Sequence, residues 1–361
     1  MRGAVKDVLI INPFGIGDVL FTTPLIRSLK DDDPARRIGF LCNRRTEPVL
    51  RADTTVDWVF VYEKDELRQL YSRSKTGYLA KLYSLAKEIR EKGFDAAIDL
   101  SLNREYGFLC WFAGIRKRIG YNYRNRGIFL TGKIDIKGYG DKHIVEYYLG
   151  LLSFLGIRPS SGGISICIPE EERRWARGFM VDNGVVAGGL LVGFAPAGGA
   201  SWGRDASAKH WRPEGFTEVA DGLAAKRKAS FIIFGGPEEK DICDSVARTM
   251  RSKAVVSCEK TTLLQAAALM SMCGLVIAND GGPLHMAVAS GARTVGIFGP
   301  VDEKVYGQYP PSPRHRVVRS DADCRPCYRN FKLKDCPDRK CLGSITAQDV
   351  LKAAEEALDA R

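Results

Sequence analysis

The sequence lacks an apolar run long enough to cross a membrane. The nearest candidate, residues 263–278, is uncharged but contains Gln265, Ser271 and Gly274, which is more typical of a helix leading into a buried strand. The first apolar stretch is interrupted by Asp7, and no small-residue cleavage site follows it, so it does not resemble a signal peptide. We therefore expect a cytosolic protein.

The sequence also lacks internal repeats and low-complexity segments. It has none of the recognition-helix, RRM or KH signatures of nucleic-acid-binding proteins. This matters because 54 Lys and Arg against 43 Asp and Glu give a net charge of +11. Such a charge suits nucleic acid, an anionic membrane surface or a phosphorylated substrate. Since the basic residues are spread over the whole chain, we expect no nucleic-acid partner and keep a basic nucleic-acid-binding protein as an alternative.

Cysteine is not scarce, but most of the ten cysteines do not form a pattern. Six are isolated in apolar contexts, as expected of reduced, buried thiols. The other four form a cluster with spacings of two, eight and four residues: Cys324, Cys327, Cys336 and Cys341. These spacings are close to those of a small zinc knuckle but looser than a paired CxxC motif. The four cysteines therefore either bind a structural zinc or are four plain thiols.

The pattern of apolar runs predicts an α/β fold in two domains, because 361 residues exceed what one core usually supports. Short strands alternating with helices are typical of parallel sheets covered on both faces. We expect strands at residues 7–11, 37–41, 58–62, 96–100, 190–195, 230–234, 254–257, 275–278 and 294–298. The predicted organisation is a first domain over 1–165, a linker rich in Gly, Pro and charge over 166–189, a second domain over 190–345 and a C-terminal helix over 346–361 with Thr346 as N-cap.

Residues 275–300 hold the most informative turn. A buried strand is broken by Asn279, Asp280, Gly281 and Gly282, and Pro283 then stands where a helix can begin. Two glycines before a helix N-terminus let backbone N–H groups approach a phosphate, which the helix dipole also favours. His285 lies one turn from this predicted anion site. The spacing is not GxGxxG, so the dinucleotide fingerprint does not apply, and a purely structural turn stays open.

A second glycine-bearing loop, residues 12–17, follows the first predicted strand and leads to Asp18 at the start of a helix predicted over 19–30. Open α/β sheets place ligands at this end of their strands. Asp18 is therefore either a catalytic carboxylate or a helix cap or first-turn acid that complements the helix dipole. Thr22 and Thr23, one turn further on, are either acceptor-binding hydroxyls or ordinary helix residues.

Residues 116–126 form a basic run with interleaved tyrosines, ahead of an amphipathic helix predicted over 141–156. The run is either a solvated face or a docking surface for an anionic acceptor or lipid headgroups. On the docking interpretation, Arg124 and Arg126 bind the acceptor.

Five segments in the same order give the chain a resemblance to a known family: residues 15–30 (GIGDVLFTTPLIRSLK), 116–121 (RKRIGY), 209–216 (KHWRPEGF), 234–239 (FGGPEE) and 279–300 (NDGGPLHMAVASGARTVGIFGP). Together they resemble glycosyltransferase family 9, the lipopolysaccharide heptosyltransferases, over residues 7–350. The resemblance implies the GT-B architecture, in which two Rossmann-like, doubly wound domains face a cleft. The first domain would then bind the acceptor and the second the nucleotide sugar.

The resemblance also implies a reaction and the residues for it. It implies inverting, metal-independent transfer of a sugar, with heptose from ADP-heptose and a lipopolysaccharide core or related glycan as the expected pair. Asp18 matches the proposed general base. The implied donor-binding residues are Lys209, Glu238 or Glu239, Asp280, Gly281, Gly282 and His285. No cofactor is then required for catalysis, and a structural zinc would be separate from it.

The chain departs from the family pattern at two points. Gly281 stands where family members often have Thr or Ser, and the segment before Lys209 is longer than expected, so the resemblance does not specify the sugar. A nucleotide-sugar epimerase on the same fold is an alternative enzyme. For the transferase, the partners would be a nucleotide-diphosphate sugar and an anionic glycolipid acceptor, reached by transient contact with the inner membrane from the cytoplasm.

Overall fold

The computed structural model describes residues 5–185, 188–198 and 200–360, which form two units. One unit extends to Tyr139 and also includes Ile144–Gly162. The other comprises Gly140–His143 and the chain from Gly163 onward. A helix at Glu170–Asp182, inside the segment predicted as linker, belongs to this second unit.

The first unit contains a six-stranded, all-parallel sheet in the order β3-β2-β1-β4-β5-β6. Its strands are β1 Asp7–Ile11, β2 Arg37–Cys42, β3 Trp58–Val61, β4 Ala96–Asp99, β5 Lys117–Tyr123 and β6 Gly132–Ile136. Its helices are α1 Ile16–Leu20, α2 Thr23–Asp32, α3 Glu47–Ala52, α4 Lys64–Arg73, α5 Lys75–Lys92, α6 Arg104–Phe112 and α7 Ile144–Gly150. All five residues of β1 are buried, as its continuous apolar sequence predicts for a central parallel strand.

The helix predicted over residues 19–30 is instead two helices, α1 and α2, separated by a turn. Pro24 has no N–H to donate to the carbonyl of Leu20, which a continuous helix would require. The hydroxyl of Thr23 donates to that carbonyl at 2.8 Å instead. The interruption therefore follows from one proline and the threonine that precedes it.

The basic run at residues 116–126 is not one solvated surface, because most of it forms strand β5. Ile119, Tyr121 and Tyr123 are buried, while Lys117 and Asn122 are half-buried. The segment predicted as a helix over 141–156 is also shorter in the structure, where α7 continues into a 3₁₀ helix at Leu151–Leu155.

The second unit repeats this architecture with strand order β12-β11-β10-β7-β8-β9, again all parallel. Its strands are β7 Leu190–Ala195, β8 Ala229–Ile233, β9 Ala254–Val256, β10 Leu275–Asn279, β11 Arg293–Phe298 and β12 His315–Arg319. Its α-helices are α8 Glu170–Asp182, α9 Pro213–Lys226, α10 Lys240–Thr249, α11 Leu263–Met272, α12 Gly282–Ala289, α13 Glu303–Tyr306, α14 Lys340–Gly343 and α15 Ala347–Asp359. Segments Ala200–Lys209 and Pro237–Glu239 are 3₁₀ helices.

The C-terminal helix α15 is part of the core of the second unit. Its N-cap is Thr346, as predicted, whose side chain accepts a hydrogen bond from the backbone N–H of Asp349. Val350, Ala354 and Ala357 are fully buried against the sheet. In the ranges that the structure describes, we find no helix with the length and apolarity needed to cross a membrane.

Candidate functional site

The loop that holds Asp18 lies at the switch point of the first sheet. Strand β1 pairs with β2 on one side and with β4 on the other, so the chain leaves β1 and β4 in opposite directions. Ligands of open α/β sheets bind outside the carboxyl ends of such strands. Asp18 is half-buried in the first turn of α1, where the N-cap is Gly15 rather than Asp18.

Buried polar side chains hold this loop rigid. The Asn12 side-chain amide donates to the Asp18 carbonyl at 3.0 Å and to the Thr22 hydroxyl at 2.9 Å. Thr22 in turn donates to the Asp18 carbonyl at 2.9 Å. From the end of β2, Asn43 donates to the Phe14 carbonyl at 2.6 Å. These bonds fix the backbone from which the Asp18 carboxylate projects.

The two threonines predicted to bind the acceptor are both buried. The hydroxyl of Thr22 binds the Asp18 carbonyl, and that of Thr23 binds the Leu20 carbonyl. The structure therefore gives both side chains a role in shaping the loop, and their contact with an acceptor stays a prediction.

Two further polar residues of this region were not predicted from the sequence. Asp99 ends β4, directly beside β1, and burial raises its carboxyl pKa to about 6 although the Ser101 N–H donates to it at 2.9 Å. Burial raises the pKa of the Tyr139 phenol well above its usual range, and the charges of Asp18 and Asp99 add to the effect. Tyr139 therefore lies within electrostatic reach of both carboxylates. A carboxylate near the end of a predicted strand was the available signal for Asp99.

Arg124 and Arg126 follow β5 at the same edge of the sheet. Only β4 separates β5 from β1, a distance of about 10 Å at ordinary strand spacing. Both arginines are exposed, and both guanidinium groups lie over the ring of Tyr123, at 5.0 and 5.9 Å from its centroid. The structure thus places these two cations on the ligand edge of the sheet that holds Asp18.

The second sheet has its own switch point between β7 and β10. There Lys209 and Asp280, both predicted as donor-binding, form a buried ion pair at 2.7 Å. The Lys209 ammonium also lies 4.0 Å from the centroid of the Trp202 ring. A buried pair of this kind is costly to break, because removing one partner leaves an uncompensated charge.

Helix α12 begins directly after this ion pair. Its N-cap is Gly281, and Pro283 lies in its first turn, as predicted. His285 is buried in the same helix, and its pKa is lowered to about 3 by burial and by the nearby His143 and Lys209. The imidazole is therefore neutral at neutral pH, so the cationic groups at this turn are the Lys209 ammonium, which is paired with Asp280, and the partially positive helix N-terminus.

Glu238 and Glu239, left as alternatives by the sequence, have different environments. One carboxylate oxygen of Glu239 accepts the Gly198 N–H at 2.9 Å and the other accepts the Gly236 N–H at 2.8 Å. Glu239 therefore joins the loops after β7 and β8. The side chain of Glu238 is exposed at the same turn and is available to a ligand from solvent.

Asn279 is a supporting residue of this turn that sequence reasoning did not single out. Its side chain donates to the Pro196 carbonyl at 2.6 Å and accepts the Trp211 N–H at 3.1 Å. It is 1% exposed, so these bonds tie β10 to the loop after β7. A polar residue at the end of an apolar strand was the available signal.

The four clustered cysteines lie in the second unit. Cys341 is buried in the core, whereas Cys324 and Cys336 are exposed. The pKa of the Cys327 thiol is raised by burial and by the other three cysteines, Cys324 before Cys341 and Cys336. Over the described part of the chain, no three His, Cys, Asp or Glu side chains are arranged to hold a metal ion. The zinc site stays a prediction.

Comparison with known proteins adds to this geometry. The family described as glycosyltransferase family 9 (heptosyltransferase) matches residues 82–336. Lipopolysaccharide heptosyltransferase 3 of Escherichia coli K12 is 25% identical over 354 residues, which is 95% of each chain. The structure of a glycosyl transferase family 9 protein from Veillonella parvula DSM 2008 has 26% identity and a TM-score of 0.83, covering 99% of this chain and 98% of that one. E. coli heptosyltransferase WaaC with ADP has 21% identity and a TM-score of 0.73, covering 97% and 99%. The predicted fold class, α/β of the GT-B type, is confirmed.

Proposed function

Because the chain belongs to glycosyltransferase family 9 and is therefore a glycosyltransferase, we propose that it moves a heptose from ADP-heptose to a lipopolysaccharide core or related glycan acceptor. We propose inversion at the anomeric carbon and no catalytic metal. The first unit binds the acceptor, and the second unit binds the nucleotide sugar.

The observation that supports this proposal most directly is the turn at Asp280 in the second unit. A nucleotide sugar leaves as a diphosphate, so its departure requires positive charge and N–H donors at the breaking bond. Lys209 has three N–H donors, and its ammonium nitrogen lies 2.7 Å from a carboxylate oxygen of Asp280. The N-terminus of α12, with Gly281 and Gly282, adds backbone N–H groups and the helix dipole. These groups supply the charge that a divalent cation supplies in other transferases.

In the first unit, Asp18 is the proposed general base. It takes the proton of the attacking acceptor hydroxyl while the new glycosidic C–O bond forms and the bond from the anomeric carbon to the diphosphate breaks. ADP is then the leaving group. The side chains of Asn12 and Thr22 fix the Asp18 carbonyl, which limits the positions of the carboxylate.

The relatives support the choice of substrates. The E. coli protein that aligns over 95% of the chain is a lipopolysaccharide heptosyltransferase, and WaaC was solved with ADP. Lipopolysaccharide core acceptors bear phosphates and carboxylates, which suits the exposed Arg124 and Arg126. Because such an acceptor is anchored by lipid, we propose that the enzyme works on the cytoplasmic side in peripheral contact with the inner membrane.

The test is a transfer assay with ADP-heptose and heptose-deficient lipopolysaccharide. We expect release of ADP that depends on both substrates, and a product with the inverted anomeric configuration by NMR. The control omits the acceptor. Conversion of the nucleotide sugar without acceptor would indicate an epimerase, and no turnover of ADP-heptose with any core acceptor would contradict the proposed donor.

A further inference from the structure

The first unit exposes a patch of aromatic side chains on helices α5 and α6 and the loop after β5. The exposed fractions of Phe108, Trp111 and Phe112 on α6 are 42%, 52% and 45%. Tyr83 on α5 is 59% exposed, and Ile128 in the loop is 62% exposed. A soluble protein rarely leaves so many large apolar side chains together in water without a binding partner.

These rings form one continuous surface rather than scattered exposures. Phe108 stacks on Phe112 with centroids 6.1 Å apart and meets Phe129 edge-on at 5.3 Å. Trp111 also contacts Phe129, and Tyr83 contacts Phe112 at 6.4 Å. We call the set Tyr83, Phe108, Trp111, Phe112 and Phe129 the aromatic patch.

Basic residues adjoin the aromatic patch along the chain. Between residues 104 and 131 the chain has six Arg and Lys but only one acidic residue, Glu105, which pairs with Lys64. Arg104 lies one turn before Phe108 on α6, and Arg116 follows the helix; both are exposed. Arg124 and Arg126 precede Ile128 in the loop.

We infer that the aromatic patch and its adjoining cations form a surface that docks on an anionic lipid bilayer, with the rings entering the headgroup layer. Trp and Tyr are favoured at that depth because their rings are apolar and their edges polar. Clustered Arg and Lys are attracted by anionic headgroups. No apolar helix is needed for such reversible contact. This inference rests on the proposed function only in that a lipid-anchored acceptor would make such docking useful.

A second copy of the chain is a poorer occupant for the same surface. A symmetric dimer places the same patch opposite itself, so the exposed arginines beside the patch in one copy would face those of the other. Like charges brought together across an interface oppose association. An anionic bilayer has the complementary charge.

The test is flotation of the full-length protein with vesicles of phosphatidylcholine and phosphatidylglycerol, compared with phosphatidylcholine alone. We expect binding to the anionic vesicles that weakens with salt. Replacing Phe108, Trp111 and Phe112 together with Ser should raise the lipid concentration for half-binding at least about ten-fold, because the aromatic contribution is lost. Val181→Ser, which removes a 72% exposed side chain from α8 in the other unit, is the matched control and should bind like wild type.

Quenching of tryptophan fluorescence by bromine-labelled lipids gives a second readout, in which Trp111→Phe should lose part of the quenching. Unchanged vesicle binding of the triple variant, or equal binding to neutral vesicles, would overturn the inference. A change in its molar mass by light scattering, with vesicle binding unchanged, would instead indicate self-association and also overturn it.

Transfer assays separate this inference from the proposed function. The triple variant should keep its kcat/KM on a water-soluble, deacylated acceptor and lose activity on acceptor embedded in anionic vesicles. Vesicle binding without any heptosyl transfer would leave the docking surface intact and refute only the proposed function.

Discussion

At the scale of single residues, the structure excludes Asp18 as the N-cap of α1, so its two remaining roles are a first-turn acid and a catalytic carboxylate. Gly15 already occupies the N-cap of α1, and Thr22 and Asn12 bind the Asp18 carbonyl rather than its carboxylate. A carboxylate needed only for the helix dipole contributes about 0.3–1 kcal/mol at an exposed first turn. Removing its charge would then change stability slightly and leave turnover unaffected.

We therefore predict that Asp18→Asn lowers kcat about 10²-fold or more, as expected for loss of a general base, while the Kd for ADP changes only a few-fold. The measurements are steady-state transfer kinetics and calorimetric titration with ADP. Asp65→Asn, which neutralises a first-turn acid of α4, is the control and should leave kcat unchanged. Near-normal turnover of Asp18→Asn would reduce Asp18 to a helix-dipole role.

Asp99 gives a prediction about pH. Its pKa is raised from 3.8 to about 6 by burial, so the folded state holds its proton more tightly than the unfolded state does. The protonated carboxyl therefore stabilises the folded state, fully so below about pH 4. As the pH rises through 6 this stabilisation is lost, and the free energy of unfolding falls by about 3 kcal/mol. Asparagine does not titrate, so Asp99→Asn should not show this loss. In urea unfolding, the stability of the variant relative to wild type should therefore rise between pH 4 and pH 7. Parallel pH profiles of unfolding free energy for the two proteins would contradict the raised pKa of Asp99.

At the scale of elements, how much could be predicted depended on burial. Strand β7 was predicted at its observed bounds because it is apolar throughout, as expected of a buried strand that lies between β10 and β8 inside the sheet. Strands β5, β6 and β12 were not predicted, since β6 and β12 are at sheet edges, where exposed residues interrupt the apolar run. In β5 the charges hid an alternation of buried Ile119, Tyr121 and Tyr123. A period of two residues was therefore present in a segment interpreted only by its charge.

In the candidate site, too, the sequence predicted only residues that stand in a local pattern. Asp18, Lys209 and Asp280 were found because each adjoins a glycine turn or a motif that the resemblance covers. The roles of Asn12 and Asn279 depend on hydrogen bonds to residues that are distant in sequence, such as the bond from Asn279 to Pro196. No local pattern encodes such partners, so only the folded chain reveals them.

The two loops joined by Glu239 give a prediction at this scale. A glutamine has one acceptor oxygen, so Glu239→Gln leaves either the Gly198 or the Gly236 N–H without its bond, at a cost of about 1–3 kcal/mol. We expect a lower unfolding free energy and a higher KM for the nucleotide sugar. Glu238→Gln is the matched control, because an exposed side chain should change stability by no more than about 0.5 kcal/mol. Equal destabilisation by both variants would contradict the assignment of the two backbone bonds to Glu239 rather than to Glu238.

The segment with four cysteines allows catalysis and metal binding to be separated. Since Lys209 and the start of α12 are proposed to stabilise the leaving diphosphate, brief treatment with EDTA should leave transfer intact. Rapid loss of transfer that Mg²⁺ or Mn²⁺ restores would contradict metal-independent catalysis.

The predicted zinc has a separate test. If it is present, elemental analysis should find zinc in the purified protein, and Cys324→Ser with Cys327→Ser should remove it and lower stability.

At the scale of the whole molecule, the net charge of +11 can act in two ways. If it acts only as a diffuse field, then removing any two exposed cations should weaken acceptor capture equally. If particular cations hold the acceptor, position should decide the effect. Arg124 and Arg126 lie at the ligand edge of the first sheet, whereas Arg174 and Arg251 are exposed in the second unit.

We predict that replacing Arg124 and Arg126 with Gln raises the KM for the acceptor and flattens the decrease of kcat/KM with added salt, because two charge-assisted contacts to acceptor phosphates are lost. The KM for the nucleotide sugar should stay almost unchanged, since its proposed binding residues are in the other unit. The pair Arg174→Gln and Arg251→Gln removes the same net charge and should leave the acceptor KM close to that of wild type. An equal effect of both pairs would show that net charge alone attracts the acceptor, and a rise in the donor KM alone would place the acceptor away from Arg124 and Arg126.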